Sequence, residues 1–455
     1  MKELQMGKEP IHNLLLKSAA PAVIGMLLQS IYVMIDGMFV GQGTGPLGLA
    51  AVNLSMPVLQ VGSALAFMLV IGGSTYTAIA LGESDTDKAS TTFSMVLKTL
   101  LLVSVAFTII GVLGAERIAT VAGADVQTHT MVSGYIRILS ISMPFFMLTM
   151  LLETGMRVVG QPMKSMVVLS FGALLNVGLD WLLIMKLNMG VNGAAIATGI
   201  SQLISMLVLL RYYLKPGFIL KLKNAPISMK VLRPILFNGS SEFATGIALG
   251  ISTYLFNLIL MSIKGNMAVS AYSIIGYISQ IVFMIHFGLA AGMQPIVSFN
   301  YGAKNTQRYK DTLKLALVVA SGVGILASIA LLTAAEPITK LFIGNRLDLL
   351  DLTLTASTFA ALIYVPAGIN IIMSGYYTAI DRPVESVTIA IFRSLIFIVV
   401  GLFTLPNLFG LSGVWATMPG AEILTLLICG GIVQYHKSKE KNPKAPMPIP
   451  SKSAA

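Results

Sequence analysis

Charge is scarce in this chain. Asp, Glu, Lys and Arg make up 11% of its 455 residues, where a soluble domain carries about 25%, while 55% are hydrophobic and the mean hydropathy is +0.83. So few polar side chains cannot cover a water-soluble globule, which leaves a protein that crosses the bilayer many times. A lone cysteine, Cys429, excludes an internal disulfide, and four scattered histidines (His12, His129, His286, His436) have no metal-ligand spacing. There is no GxxxxGK[ST] phosphate loop, so the chain is not expected to hydrolyse ATP or to need an organic cofactor.

Apolar runs of helix length fill the rest. Twelve spans are expected, near 14–40, 47–81, 91–113, 130–157, 163–185, 192–214, 235–263, 268–299, 312–333, 352–378, 384–405 and 411–434. The first lacks a small-residue cleavage site and contains an acid, so it is expected to be a retained helix rather than a signal peptide.

The net charge of +11 could suggest a nucleic-acid partner, but its placement argues against one. Threading twelve spans with both termini on one side puts 22 of the 30 Lys and Arg on that side and five (Arg117, Lys186, Lys264, Lys340, Arg346) on the other, with Lys98, Arg137 and Arg393 inside spans. The positive-inside rule then makes both termini cytoplasmic, and the excess charge becomes a topology signal with weak attraction to anionic lipid.

Sliding the chain against itself by 220 residues superposes Gly45 on Gly265, Gly72 on Gly292, Gly82 on Gly302, Gly155 on Gly375, Gly190 on Gly410 and Gly193 on Gly413. Composition alone would give roughly two such glycine coincidences, so the six point to an internal duplication. Six spans per half is an even number, so both halves enter the membrane from the same side. The expected fold is an all-α membrane protein of twelve transmembrane helices in two six-helix bundles, related by a pseudo-two-fold axis along the membrane normal, with a path between them. The first lobe would cover 1–214, a cytoplasmic linker loop 215–234, the second lobe 235–435, and a disordered cytoplasmic tail 436–455.

Two acids interrupt the first lobe. Asp36 and Asp180 each lie inside an apolar run, and a carboxylate there costs roughly 2.5–3.5 kcal/mol by insertion scales unless it binds a proton or a cation, or meets water. Span 1 runs outward, and Asp36 lies about five residues from its outer end, roughly 8 Å deep at 1.5 Å per residue. Spans 5 and 6 bring Asp180 and Thr198 to the same level, with Asn176 one turn below Asp180 and Tyr32 one turn below Asp36. Carboxylate, amide and hydroxyl oxygens in one layer suit Na⁺ or a shared proton. The repeat counterparts of Asp36, Asn176, Asp180 and Thr198 are Phe256, Ile396, Val400 and Met418, so a cation site of this kind is expected in the first lobe alone.

Other polar residues in spans carry less. Glu153 and Arg157 stand four apart and would form a pair on one helix, with structural gluing the favoured role. Glu242, Arg393 and Glu422 divide evenly between cavity lining and interhelical pairing. The 26 methionines, together with aromatics such as Tyr254 and Phe283, would suit a cavity for varied amphipathic molecules, although packing is their default use.

These residues carry a resemblance. Asp36-Gly37-Met38-Phe39-Val40-Gly41, Gly155-Met156-Arg157-Val158-Val159-Gly160-Gln161-Pro162, Asn176-Val177-Gly178-Leu179-Asp180 and Gly190-Val191-Asn192-Gly193-Ala194-Ala195-Ile196-Ala197-Thr198, in this order within six-plus-six spans, resemble the multidrug and toxic compound extrusion (MATE) transporters, especially their bacterial MepA-like group. The resemblance implies a monomeric antiporter, not an enzyme, that exports organic cations or drugs against an H⁺ or Na⁺ gradient. It also implies that Asp36, Asn176, Asp180 and Thr198 bind or relay the coupling ion, with Tyr32 beside them, and that Glu153 stands where some relatives carry Asn.

Two other readings stay open. A lipid-linked saccharide flippase of the same superfamily would be expected to line its cavity with several Arg, for which only Arg393 and Arg137 offer themselves. An intramembrane hydrolase could use the two aspartates as acid and base, but the duplication fits two rocking lobes better.

Overall fold

The computed structural model describes residues 5–343 and 347–441, and among them every regular element is helical. The elements are α1 (Ile11–Gly82), α2 (Thr86–Val121), α3 (His129–Val158), α4 (Pro162–Asp180), α5 (Gly190–Tyr213), α6 (Met229–Lys264), α7 (Asn266–Gly302), α8 (Thr306–Ile343), α9 (Leu347–Ala361), α10 (Tyr364–Ala379), α11 (Pro383–Ile391), α12 (Phe397–Phe409) and α13 (Leu411–Lys441). A π-turn at Trp181–Lys186 extends α4, and another at Phe392–Ile396 joins α11 to α12. At 72 residues α1 is too long for one crossing, and it breaks at Gly45, where φ is 68°. The paired α9 and α10 meet at a 44° bend and make a single broken span. Among the described residues the chain therefore crosses twelve times, six per lobe.

The repeat appears in the backbone. Gly45 and Gly265, 220 apart, both take left-handed φ, 68° and 63°, which a residue with a Cβ adopts only under strain. Each forms the corner between the first two crossings of its lobe.

Chain ends and expected boundaries differ in two places. Helix α6 starts at Met229, inside the expected linker, and the segment before it is strapped to α2: Ser90 Oγ accepts from the Lys221 N–H at 3.1 Å, Ser94 Oγ from the Lys223 N–H at 2.9 Å, and Lys98 Nζ donates to Ala225 O at 2.8 Å. A loop over an apolar bundle needs partners for its peptide groups, and α2 supplies them. At the other end α13 continues to Lys441, so residues 436–441 are helical where a disordered tail was expected, and the remainder of that tail lies outside the described residues.

The lobes touch on the face that carries both chain ends. There α1 runs against α6 and α7 backbone to backbone: a Cβ on Gly72 would collide with Ile235 O, on Gly239 with Met68 O, on Gly82 with Phe299 O, and on Gly302 with Ile79 O. Lipid provides no hydrophobic drive between helices, so small residues that permit close approach hold the seam. Ser18 Oγ adds a bond to Gly292 O at 2.8 Å. Four of the glycines that revealed the duplication, Gly72, Gly292, Gly82 and Gly302, are thus contact points where the lobes close.

One acid locks this seam from outside the helices. Asp381 sits in the turn between α10 and α11 at φ 55°, where it accepts from Tyr76 Oη of the first lobe at 2.9 Å and from Asn238 Nδ2 at 3.3 Å. Burial raises its pKa above the usual carboxylate range, against a lowering by the Tyr76 bond; Tyr301 and Arg382 are the other titratable or charged groups close by. An acid whose pKa is higher in the sealed state than in an opened, hydrated one favours the seal when protonated, so sealing is expected to weaken as pH rises through the raised value. In a Cys429→Ser background, a thiol placed at the buried seam position Ser298 should label faster at the upper end of that window. Asp381→Asn should remove the rise in excess of what thiolate formation alone gives, and an excess left unchanged in that variant would refute the assignment.

Candidate functional site

The first crossing of α1 contributes Tyr32 and Asp36, α4 contributes Asn176 and Asp180, and α5 contributes Thr198. Asp180 is fully buried and Asn176 is 2% exposed. Asp180 ends the α-helical part of its span, because the π-turn starts at the next residue, Trp181. Such wide turns are uncommon and collect at functional positions, where they re-aim the side chains beside them.

The five residues picked from the sequence come together. The Asn176 amide links its neighbours: turned one way it donates to Thr198 Oγ1 at 3.4 Å, and turned the other it donates to Asp180 Oδ2 at 3.2 Å while accepting from the Thr198 N–H at 3.3 Å. The second orientation is chemically preferable, since each amide atom then meets a group of opposite character. The Asp36 and Asp180 carboxyls lie within hydrogen-bonding reach of each other. Asp36 Oδ1 and Asp180 Oδ1 are nevertheless both buried without a hydrogen-bond partner. Two full negative charges about 4 Å apart in a medium of effective dielectric about 20 would repel by about 4 kcal/mol. A proton on one carboxyl, or a small cation between them, removes that repulsion and satisfies the orphaned oxygens.

Two tyrosines flank the pair. Tyr32 lies in electrostatic reach of both acids. Tyr135 on α3, 4% exposed, lies in electrostatic reach of Asp36, Asp180 and Tyr32. Sequence reasoning passed over Tyr135, although a depth count on α3 like the one made for span 1 could have found it.

Beneath the layer is a cavity of about 160 Å³, lined by first-lobe residues apart from Ala291 of α7. Tyr32, Asn176 and Thr198 line it, and so do Glu153 and Arg157, which form an ion pair one helical turn apart. Arg157 Nη2 also donates to Thr154 Oγ1 at 2.9 Å. This pair, assigned to helix gluing on sequence grounds, therefore also faces open space.

The second-lobe residues are organised differently. Arg393, in the π-turn between α11 and α12, pairs with Glu422 of α13, with Nη2 to Oε1 at 2.8 Å and Nε to Oε1 at 3.2 Å. Asn370 Nδ2 donates to Glu422 Oε2 at 2.7 Å, and Glu242 lies in electrostatic reach of Arg393. Arg393 and Glu422 thus tie three elements together, and none of Glu242, Arg393 and Glu422 lines the first-lobe cavity.

Comparison with known proteins identifies the family and the fold. A sequence model of the MatE family matches residues 21–182 and 243–403, two stretches that begin 222 residues apart, so one profile recognises each lobe separately. The chain is 28% identical over 423 residues to the Multidrug export protein MepA of Staphylococcus aureus strain N315, covering 92% of this chain and 93% of that one. It is 26% identical over 428 residues to the same-named protein of Staphylococcus saprophyticus. Among solved structures, MATE in complex with MaL6 superposes with a TM-score of 0.91 at 22% identity, covering 97% of this chain and 99% of that one. A MOP superfamily transporter from Pyrococcus furiosus superposes with a TM-score of 0.90 at 22% identity.

Proposed function

The chain belongs to the MatE family, and from that premise we propose that it is a multidrug efflux antiporter, which exports amphipathic and often cationic organic compounds in exchange for H⁺ or Na⁺. The observation that carries the reading is the Asp36–Asp180 pair: two carboxyls face each other, each with a buried oxygen that has no partner. Such a pair holds a small positive ion far better than it tolerates two bare charges, and the ion is the coupling species. Asn176 and Thr198 supply neutral oxygens that suit Na⁺, and the carboxyls alone suffice for H⁺.

Alternating access follows from the seam. With 22 Lys and Arg on the face that bears the chain ends, that face is cytoplasmic in a bacterial inner membrane, and the glycine contacts seal the cytoplasmic side of the path. An ion can shift the balance of two conformations only by binding one of them better. Cation entry at the acid layer draws α1 and α4 together, and the first-lobe cavity, which shares Tyr32, Asn176 and Thr198 with that layer, changes shape with it.

The test is flux in proteoliposomes loaded with a fluorescent organic cation. Dye movement should require an imposed proton or sodium gradient, and running each gradient at otherwise fixed conditions identifies the coupling ion. Dye flux indifferent to both gradients would discard the antiport reading.

A further inference from the structure

Glu153 and Arg157 are the charged residues among those lining the first-lobe cavity, so the cavity carries two opposite charges and no net one. Arg157 is 8% exposed. Its Nη1 meets Glu153 and its Nη2 meets Thr154, yet its Nε–H, also buried, has no acceptor. A guanidinium presents its donors as a fixed planar fork, so an oxygen offered to Nε can be accepted without breaking the Glu153 contact.

The charge balance sets what that oxygen should belong to. A plain cation drawn to Glu153 would compete with Arg157 and leave the guanidinium without its counter-charge, and a plain anion on Arg157 would do the same to Glu153. A ligand that brings both signs leaves every charge matched. The geometry points to a zwitterion-selecting subsite at this end of the cavity, where the carboxylate of an amphiphile accepts from Arg157 and its cationic group lies toward Glu153. Phe67, Phe146, Met150 and Met166 line the same cavity and supply an adaptable apolar bed for the body of the ligand. That the bound amphiphile is export cargo rests on the efflux reading above, whereas the charge selection rests on the cavity alone.

Equilibrium binding to the purified full-length chain in detergent separates the two. The probes are a xanthylium dye with a free carboxylate and its methyl ester, followed by fluorescence anisotropy. The wild type should bind the carboxylate form about tenfold more tightly, because the ester keeps a carbonyl acceptor but loses the negative charge that makes a bond to the guanidinium strong. In Glu153→Gln/Arg157→Met, which removes both charges together, the preference should vanish, and an unchanged melting temperature in detergent shows that the fold is kept. Arg157→Lys keeps the charge but has no Nε donor, and should lose at least about threefold of the preference. Equal binding of the two dyes by the wild type, or a preference unchanged in the double variant, would overturn the proposal. A retained preference in a protein that shows no gradient-driven flux would count against export and still support the subsite.

Discussion

Asp180→Asn is expected to abolish gradient-driven export, with flux falling on the order of a hundredfold, the equivalent of about 3 kcal/mol of lost coupling. The side chain is fully buried, Asn176 Nδ2 reaches its Oδ2, and it faces Asp36. An asparagine there keeps the volume and can donate to Asp36, so the layer stays packed while one of the two negative charges that would hold a coupling ion is gone. Asp36→Asn should show the same loss, and the double variant should be no worse than either single one, because the pair acts as a unit. Flux in proteoliposomes under the coupling gradient reads the loss, and equilibrium binding of the dye checks that the cavity survives. Normal flux in either single variant would mean that the layer is not the coupling site.

The acid layer was legible because its two carboxylates break a rule that the bilayer imposes. A carboxylate, an amide and a hydroxyl at one depth on neighbouring spans need a reason, and counting residues from span ends locates them. Twelve crossings and the duplication were legible for similar reasons, through hydropathy and glycine spacing. Tyr135 was readable in depth alone: a count along α3 puts it at the level of the layer, but that it packs beside Asp36 depends on how α3 sits. The use of the repeat glycines was not legible: Gly45 and Gly265 serve backbone conformation, whereas Gly72 and Gly82 serve close approach, and one letter stands for both. The π-turn after Asp180 leaves no mark in the sequence, since it arises from tertiary fit rather than local preference. The course of residues 215–228 escaped for the opposite reason: Lys and Pro suggest a solvated loop, and only the fold shows Ser90 and Ser94 waiting to bind it.

Glu422→Ala should cost about 3–5 kcal/mol of stability, the usual penalty when one partner of a buried ion pair is removed and the other is left charged. Arg393 is 9% exposed and Glu422 4% exposed. Without the carboxylate the guanidinium keeps no other acceptor among its side-chain bonds in the described residues, and Asn370 Nδ2 loses one of its two. Arg393→Met should cost a similar amount by leaving Glu422 unpaired, although Asn370 still donates to it. Arg393→Met/Glu422→Met exchanges the pair for apolar volume, so it should be markedly more stable than either single variant, because no charge is then stranded. The pattern separates an interhelical tie from a role in the transport path. A tie predicts that melting temperature in detergent and transport recover together in the double variant. Recovered melting with transport still absent would move Arg393 and Glu422 out of the scaffold and into the machinery that handles ions or cargo.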